Sequence, residues 1–270
     1  MIKTLGEIIS DNWNWRAQIK NLASFEIVKK TRGAVLSWAW LIIKPAVYIF
    51  CFWFAIDVGL RAGDTGGSDC PYLLWLCAGI IPWNFVSDML GAGCDVYRRY
   101  PYLVNKIKFP LSAIPTIFST ASLLIQVMLI VFLFVIFFAT GQTATIYLLQ
   151  LPLIVILMWI FWSFFSLTVS LFSALSRDIS QLVHALSTPL FWLSGVIFNI
   201  ENIQIDWVQA IFNFNPVTFF IVGYRYAFCD KIWFWENIPM CSGFALIFAI
   251  LILVACFAYK GLNKEVSDVL

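Results

Sequence analysis

Charge is what this chain has least of: Asp, Glu, Lys and Arg together supply 12% of its 270 residues, about half the share in a soluble domain. A surface that poor in charge cannot face water on all sides, and a chain that is 61% hydrophobic has too few polar residues to cover a core. Histidine occurs once, at His184, and the seven cysteines show neither CxxC nor Cys/His spacing, which argues against a metal centre. Glycine never precedes lysine, so the GxxxxGK[ST] phosphate loop is absent and the chain does not hold ATP in that manner. GxSxG, HExxH and paired-carboxylate patterns are missing too, which disfavours an enzyme, a membrane-embedded glycosyltransferase included. The first apolar run follows a mostly polar stretch without an A-x-A-like site, so no signal peptide is expected.

What fills the sequence instead is long apolar runs. A helix rising 1.5 Å per residue needs about 20 apolar residues to cross hydrocarbon. Such runs cover Val35 to Ile56, Tyr72 to Leu90, Leu111 to Ala139, Tyr147 to Leu175, Ile179 to Phe198 and Pro239 to Tyr259. Their apolarity is continuous rather than alternating, so they are expected to be helices and not barrel strands. The fifth run carries His184 and Pro189 and is the least apolar in character.

Cations set a direction. Six precede residue 34, four lie between 98 and 108, Arg177 stands alone, and two follow the last run, whereas the alternate loops carry only Arg61, Arg225 and Lys231. The positive-inside rule then predicts six crossings with both termini cytoplasmic. Cys51, Cys77, Cys241 and Cys256 fall within runs and read as small hydrophobes; Cys70 and Cys229 both fall on the outer side, where a disulfide between them is open.

Several segments carry more than hydropathy. In residues 1–33, Trp15, Ile19, Leu22 and Ala23 share one helical face, with Lys20, Lys29 and Lys30 as cationic anchors, a pattern of an interfacial helix or of a solvated tail. Between Gly91 and Pro110, the segments Tyr97-Arg98-Arg99-Tyr100-Pro101 and Asn105-Lys106-Ile107-Lys108-Phe109-Pro110 form a compact basic element that could dock a partner or simply anchor the inner face. The connection from Asn199 to Ile238 is rich in Phe and Ile, and its Asn213-Phe214-Asn215-Pro216 punctuation predicts a re-entrant pair of helices. The first outer loop, Gly63-Asp64-Thr65-Gly66-Gly67-Ser68, is expected to be a flexible connection. His184 is expected to be a hydrogen-bonded helix residue. Lys44 either touches an anionic substrate or snorkels to headgroups, and the aromatics, 18% of the chain, either anchor at interfaces or stack on sugars.

Taken together, these segments resemble the transmembrane subunit of type-2 ABC exporters for cell-surface glycopolymers, the group that includes teichoic-acid and O-antigen permeases. Gly33-Ala34-Val35-Leu36-Ser37-Trp38-Ala39-Trp40 with Lys44-Pro45 resembles that family's approach to its first span. Gly79-Ile80-Ile81-Pro82-Trp83-Asn84-Phe85 is similar to its second-span motif, and Asn105 to Leu111 with Pro115 to the lead into its third. Ser176-Arg177-Asp178-Ile179 resembles its Arg-Asp turn, and Asn215-Pro216 with Tyr224-Arg225 its outer Asn-Pro and Tyr-Arg pairs. Ser37 stands where the family often has glycine, implying a less close helix approach, and the run from Phe109 to Thr116 with the ending Val266-Ser267-Asp268-Val269-Leu270 leans toward the teichoic-acid branch.

The resemblance implies an all-α polytopic fold: an N-terminal amphipathic helix over 1–33, a six-span domain over 34–270, and an outer gate near 199–238. It implies a homodimer with two ABC ATPase subunits that bind ATP and Mg, so this chain holds no cofactor and is a transport subunit rather than an enzyme. ATPase coupling would fall to Arg98, Arg99, Tyr100, Asn105, Lys106, Arg177 and Asp178. Trp38, Lys44, Tyr48, Phe52, Phe191 and Trp192 would line the passage, and Asn215, Pro216, Phe219, Tyr224 and Arg225 would form the gate. The implied cargo is a glycopolymer on undecaprenyl diphosphate in the bacterial cytoplasmic (inner) membrane, with no role for nucleic acid; export of a drug or small lipid is the alternative.

Overall fold

A computed structural model describes residues 2–33, 35–61, 63, 65, 70–105 and 109–269. Lys106, Ile107, Lys108 and most of the Gly63–Ser68 loop therefore lie outside the described residues. The chain is helical throughout: α1 (Ile2–Asn14), α2 (Arg16–Thr31), α3 (Trp40–Trp53), α4 (Tyr72–Gly91), α5 (Val96–Arg99), α6 (Pro101–Asn105), α7 (Ile114–Ala139), α8 (Leu151–Leu175), α9 (Arg177–Trp192), α10 (Asp206–Phe214), α11 (Pro216–Arg225) and α12 (Ile238–Val269).

Among the described residues, five helical stretches are long and apolar enough to cross a membrane: Ser37–Gly59, Tyr72–Arg99, Leu111–Ala139, Ile146–Leu175 and Ile238–Asn263. The fifth expected run behaves differently. It forms α9, whose 16 residues reach about 24 Å at the helical rise, short of the ~30 Å hydrocarbon thickness. Its apolar pattern is interrupted by Ser180, Gln181, His184, Ser187 and Thr188, and the helix stops before Gly195, which takes a φ of +68° that a helix cannot continue through.

The N-terminal face follows the sequence pattern. Ile19, Ala23 and Ile27 are buried on α2, which lies against α7, while Trp15 meets Phe109 edge-on at 4.8 Å between ring centres. Polar ties reinforce this docking: Ser112 donates to Asp11 at 2.7 Å and Lys30 reaches Asp88 on α4 at 2.8 Å. Ser37 has a φ of +37°, a left-handed backbone that glycine adopts most easily.

α4 is the centre of the bundle, with 78% of its most apolar stretch buried, against 11% for the stretch containing α3. α4 packs against α3, α7, α9 and α11, and α12 lies along α8. Gly243 lets α12 approach the end of α10 so closely that a Cβ there would collide with the Asn213 carbonyl. At one end of the bundle Cys70, just ahead of α4, is bonded to Cys229 in the turn after α11, with 5.2 Å between their Cα atoms. A disulfide forms in an oxidising compartment. With five cysteines free, the chain denatured without reductant should take up five maleimide-polyethylene glycol labels, and seven after reduction. Seven labels before reduction would show that the bond does not form.

Candidate functional site

Two polar constructions stand at opposite ends of the bundle, and an aromatic face lies between them. The first surrounds Arg225. Asn215 caps α11, its side-chain oxygen accepting from the Val217 amide at 3.0 Å, and Pro216 supplies the fixed φ suited to the first helical position. The same Asn215 donates through Nδ2 to the Leu193 carbonyl at 3.1 Å and to Ser194 Oγ at 2.9 Å. Ten residues on, Arg225 is 3% exposed and donates from Nη1 to Gly195 O at 2.7 Å and from Nη2 to Val196 O at 2.6 Å. Its guanidinium carbon lies 3.3 Å from the ring centre of Trp75. α11 therefore acts as a clasp on the turn that ends α9.

Gly79 makes the clasp fit. A Cβ at that position would stand 2.6 Å from Arg225 Nη2 and 2.7 Å from Val196 O. Next to Arg225 on α11, Tyr224 is fully buried and accepts a bond from Gln126 Nε2 at 3.0 Å, while Phe219 stacks on Phe244 of α12 with 4.1 Å between ring centres. The five expected gate residues are thus brought together by α11 and its cap.

The second construction is centred on Asp95, in the short turn Gly93–Asp95 after α4. Ser173 near the end of α8 donates to its Oδ1 at 2.7 Å, and Ser180 on α9 to its Oδ2 at 2.7 Å. His184 Nε2 lies 3.2 Å from Oδ2 and Arg98 Nη1 3.9 Å from Oδ1. Arg98 also donates to the Ser173 carbonyl. Ser176 caps α9 by accepting from the Asp178 amide, and Arg177 and Asp178 are exposed, as is Arg99. Tyr100 is buried instead, and burial together with its bond to Glu26 holds its phenol well above the ordinary range. The two basic connections expected to couple to a partner are therefore tied to each other, through an aspartate that the motif search passed over. Its signal was that it is the sole acid between Gly91 and Pro110, three residues ahead of Arg98.

Between these ends α3 and α9 share an aromatic cluster. Tyr48 lies 4.8 Å from Phe52 and 6.2 Å from Phe191, Phe52 lies 5.6 Å from Phe191, and Phe191 adjoins Trp83 at 5.2 Å and Trp192 at 5.7 Å. Trp38, on the turn Ser37–Ala39, is outside this group. Tyr48 and Trp83 also line a cavity of about 570 Å³ that holds Lys30, Lys44, Asp88 and Gln126. His184, expected as a hydrogen-bonded helix residue, is one.

The clasp yields a direct test. Arg225→Ala leaves the Gly195 and Val196 carbonyls without these donors, at about 1–3 kcal/mol for each group, and Gly79→Ala forces the guanidinium out. Both should lower the thermal unfolding midpoint of the detergent-solubilised chain, and Arg225→Lys should not restore it, because an ammonium cannot serve both carbonyls in that fork geometry. Wild-type midpoints in both Ala variants would mean the clasp does not hold the turn.

Residues 17–229 match the ABC-2 type transporter family. The chain is 21% identical over 224 residues to the O-antigen export system permease protein RfbA of Myxococcus xanthus, covering 83% of this chain and 84% of that protein. It is also 21% identical over 232 residues to the inner membrane transport permease YadH of Escherichia coli strain K12, covering 82% and 87% respectively. With a helical bundle carrying several membrane-length apolar helices and the family match running through most of its length, this chain is a multi-pass membrane protein that belongs to the ABC-2 type transporter family and serves as a transport permease.

Proposed function

We propose that two copies of this chain, joined to two ABC ATPase subunits, export polysaccharide or teichoic acid linked to undecaprenyl diphosphate across the bacterial cytoplasmic membrane. The observation that carries this reading is the meeting of an aromatic face with a charged cavity: Tyr48, Phe52, Phe191 and Trp192 lie beside the space that holds Lys44 and the Lys30–Asp88 pair. Aromatic faces suit the apolar faces of sugars, and lysines suit a diphosphate. The name of the M. xanthus relative supports a polysaccharide cargo.

In this arrangement residues 1–33 lie on the inner interface and residues 34–270 form six crossings with both termini cytoplasmic. α9 and the turn that follows it make the fifth crossing, and residues 199–238 form the outer gate. The disulfide and the loops poor in Lys and Arg stand at the outer end, while the basic 98–108 loop stands at the inner one. ATP and Mg reside on the partner. Its closure pushes on Arg99, Arg177, Asp178 and the 105–106 region, and the Asp95 bonds carry that push into α8 and α9 together. α9 then moves Phe191 and Trp192 relative to α3, which opens the passage.

Reconstituted with its ATPase in vesicles, the permease should move lipid-linked polymer only when ATP is supplied. The double variant Tyr48→Ala, Phe191→Ala should slow that movement about tenfold, equivalent to about 1.4 kcal/mol, with the ATPase still assembled. Transport of a small lipid or drug but not polymer would support the alternative cargo, and polymer movement without the ATPase would overturn the ATP-driven mechanism.

A further inference from the structure

Asp95 is already served by two serine hydroxyls, and Arg98 lies nearby, yet the fold also brings a thiol and the chain's single imidazole to the same point. Cys94 Sγ lies 3.8 Å from His184 Nε2, Asp95 Oδ2 lies 3.2 Å from the same nitrogen, and the three donor atoms all fall within 4.8 Å of one another. The residues come from the turn after α4 and from α9, and about ninety positions separate them in sequence. A tetrahedral zinc ion, with sulfur at about 2.3 Å and nitrogen or oxygen at about 2.0–2.1 Å, holds its donors about 3.3–3.6 Å apart. Shifts of a few tenths of an ångström bring the nitrogen–sulfur and nitrogen–oxygen pairs to that spacing, and the sulfur–oxygen pair is within reach of it.

We infer that Cys94, Asp95 and His184 form a binding site for a zinc-class transition metal at this end of the bundle. A thiolate, an imidazole and one carboxylate favour zinc over magnesium or calcium, which take oxygen donors. The surroundings supply the supporting layer such a site needs. Ser173 and Ser180 orient the carboxylate, and Arg98 sits on the Oδ1 side, opposite the oxygen nearest the imidazole. Cys94 is buried while His184 is exposed, so the ion enters past the imidazole and water completes its fourth position. The thiol now donates to the Gly91 carbonyl at 3.0 Å; on binding, its proton passes to solvent and the sulfur turns to the metal. The bound ion joins the α4 turn to α9 more firmly than the hydrogen bond it replaces. This inference concerns the chain's own ligands and stands apart from the cargo.

The full-length chain, purified with a tag that contains no histidine, is titrated with Co²⁺ and followed by absorption. The expected result is a thiolate-to-cobalt charge-transfer band with tetrahedral ligand-field bands, saturating at one equivalent and bleached by Zn²⁺. His184→Asn, at an exposed position, should weaken binding at least about tenfold, and Cys94→Ser should remove the charge-transfer band, whereas Cys51→Ser should leave the spectrum unchanged. Absence of a thiolate band in the wild-type chain, or an unaltered band in His184→Asn, would overturn the assignment; the His184 result decides alone should Cys94→Ser not fold.

Discussion

Backbone that departs from helical geometry inside a membrane protein has no water to bond to, so every such carbonyl needs a donor from the protein. In this chain the stretch after α9 creates that demand, and α11 meets it. Arg225 serves Gly195 and Val196, Asn215 serves Leu193, and Tyr72 reaches Ile197 at 3.4 Å. Gln150 plays the matching part beyond α11, donating to Ile232 O and accepting from the Phe234 amide, both at 2.8 Å. The short α9 is tolerable because side chains from α11, its cap and α4 complete its end. A charged guanidinium is well suited to this role: it offers several donors in one plane, and its face can rest on Trp75 while Nη1 and Nη2 each serve a carbonyl.

The opposite end solves a different problem. There the backbone is regular or exposed, and what needs fixing is the relation between separate helices. An ionised carboxylate accepts several bonds at once, so Asp95 can hold α8, α9 and α5 to the turn after α4 without a large apolar contact. The Arg225 clasp and the Asp95 knot differ in how far they are buried. One is sealed under Trp75 with 3% exposure, whereas the other keeps a half-exposed imidazole at its edge.

Much of this was legible in the sequence because hydropathy acts along the chain. All five membrane-length helices begin within a few residues of the expected runs, and Asn215-Pro216 marked the start of α11 through local capping chemistry. The end of α9 was not legible, since Ile179 to Phe198 averages as apolar while its helix ends where Gly195 adopts a positive φ and distant donors wait. Gly79 was visible as a motif residue, but not the reason for it, which is a guanidinium brought from well over a hundred positions away. Asp95, Ser173 and Ser180 were missed because each is unremarkable alone and their grouping exists only in three dimensions. Lone His184 shows the limit of spacing rules: absence of a local Cys/His pattern says nothing about residues that topology joins.

The contrast between α3 and α4 bears on assembly. Both are apolar, yet α4 is enclosed and α3 leaves most of its surface open, including Val47, Phe50 and Phe54. Lipid alone would be content with aliphatic residues on that surface. Instead one side of α3 gathers Tyr48 and Phe52 with Phe191 of α9, beside a cavity whose walls carry Lys30, Lys44 and Asp88. Charged groups that close to an apolar helix are stable only next to water, headgroups or a polar ligand. Under the proposed dimer, a second copy set against the open α3 surface would cover that cavity as well, which is how the reading accounts for charge beside so exposed an apolar helix.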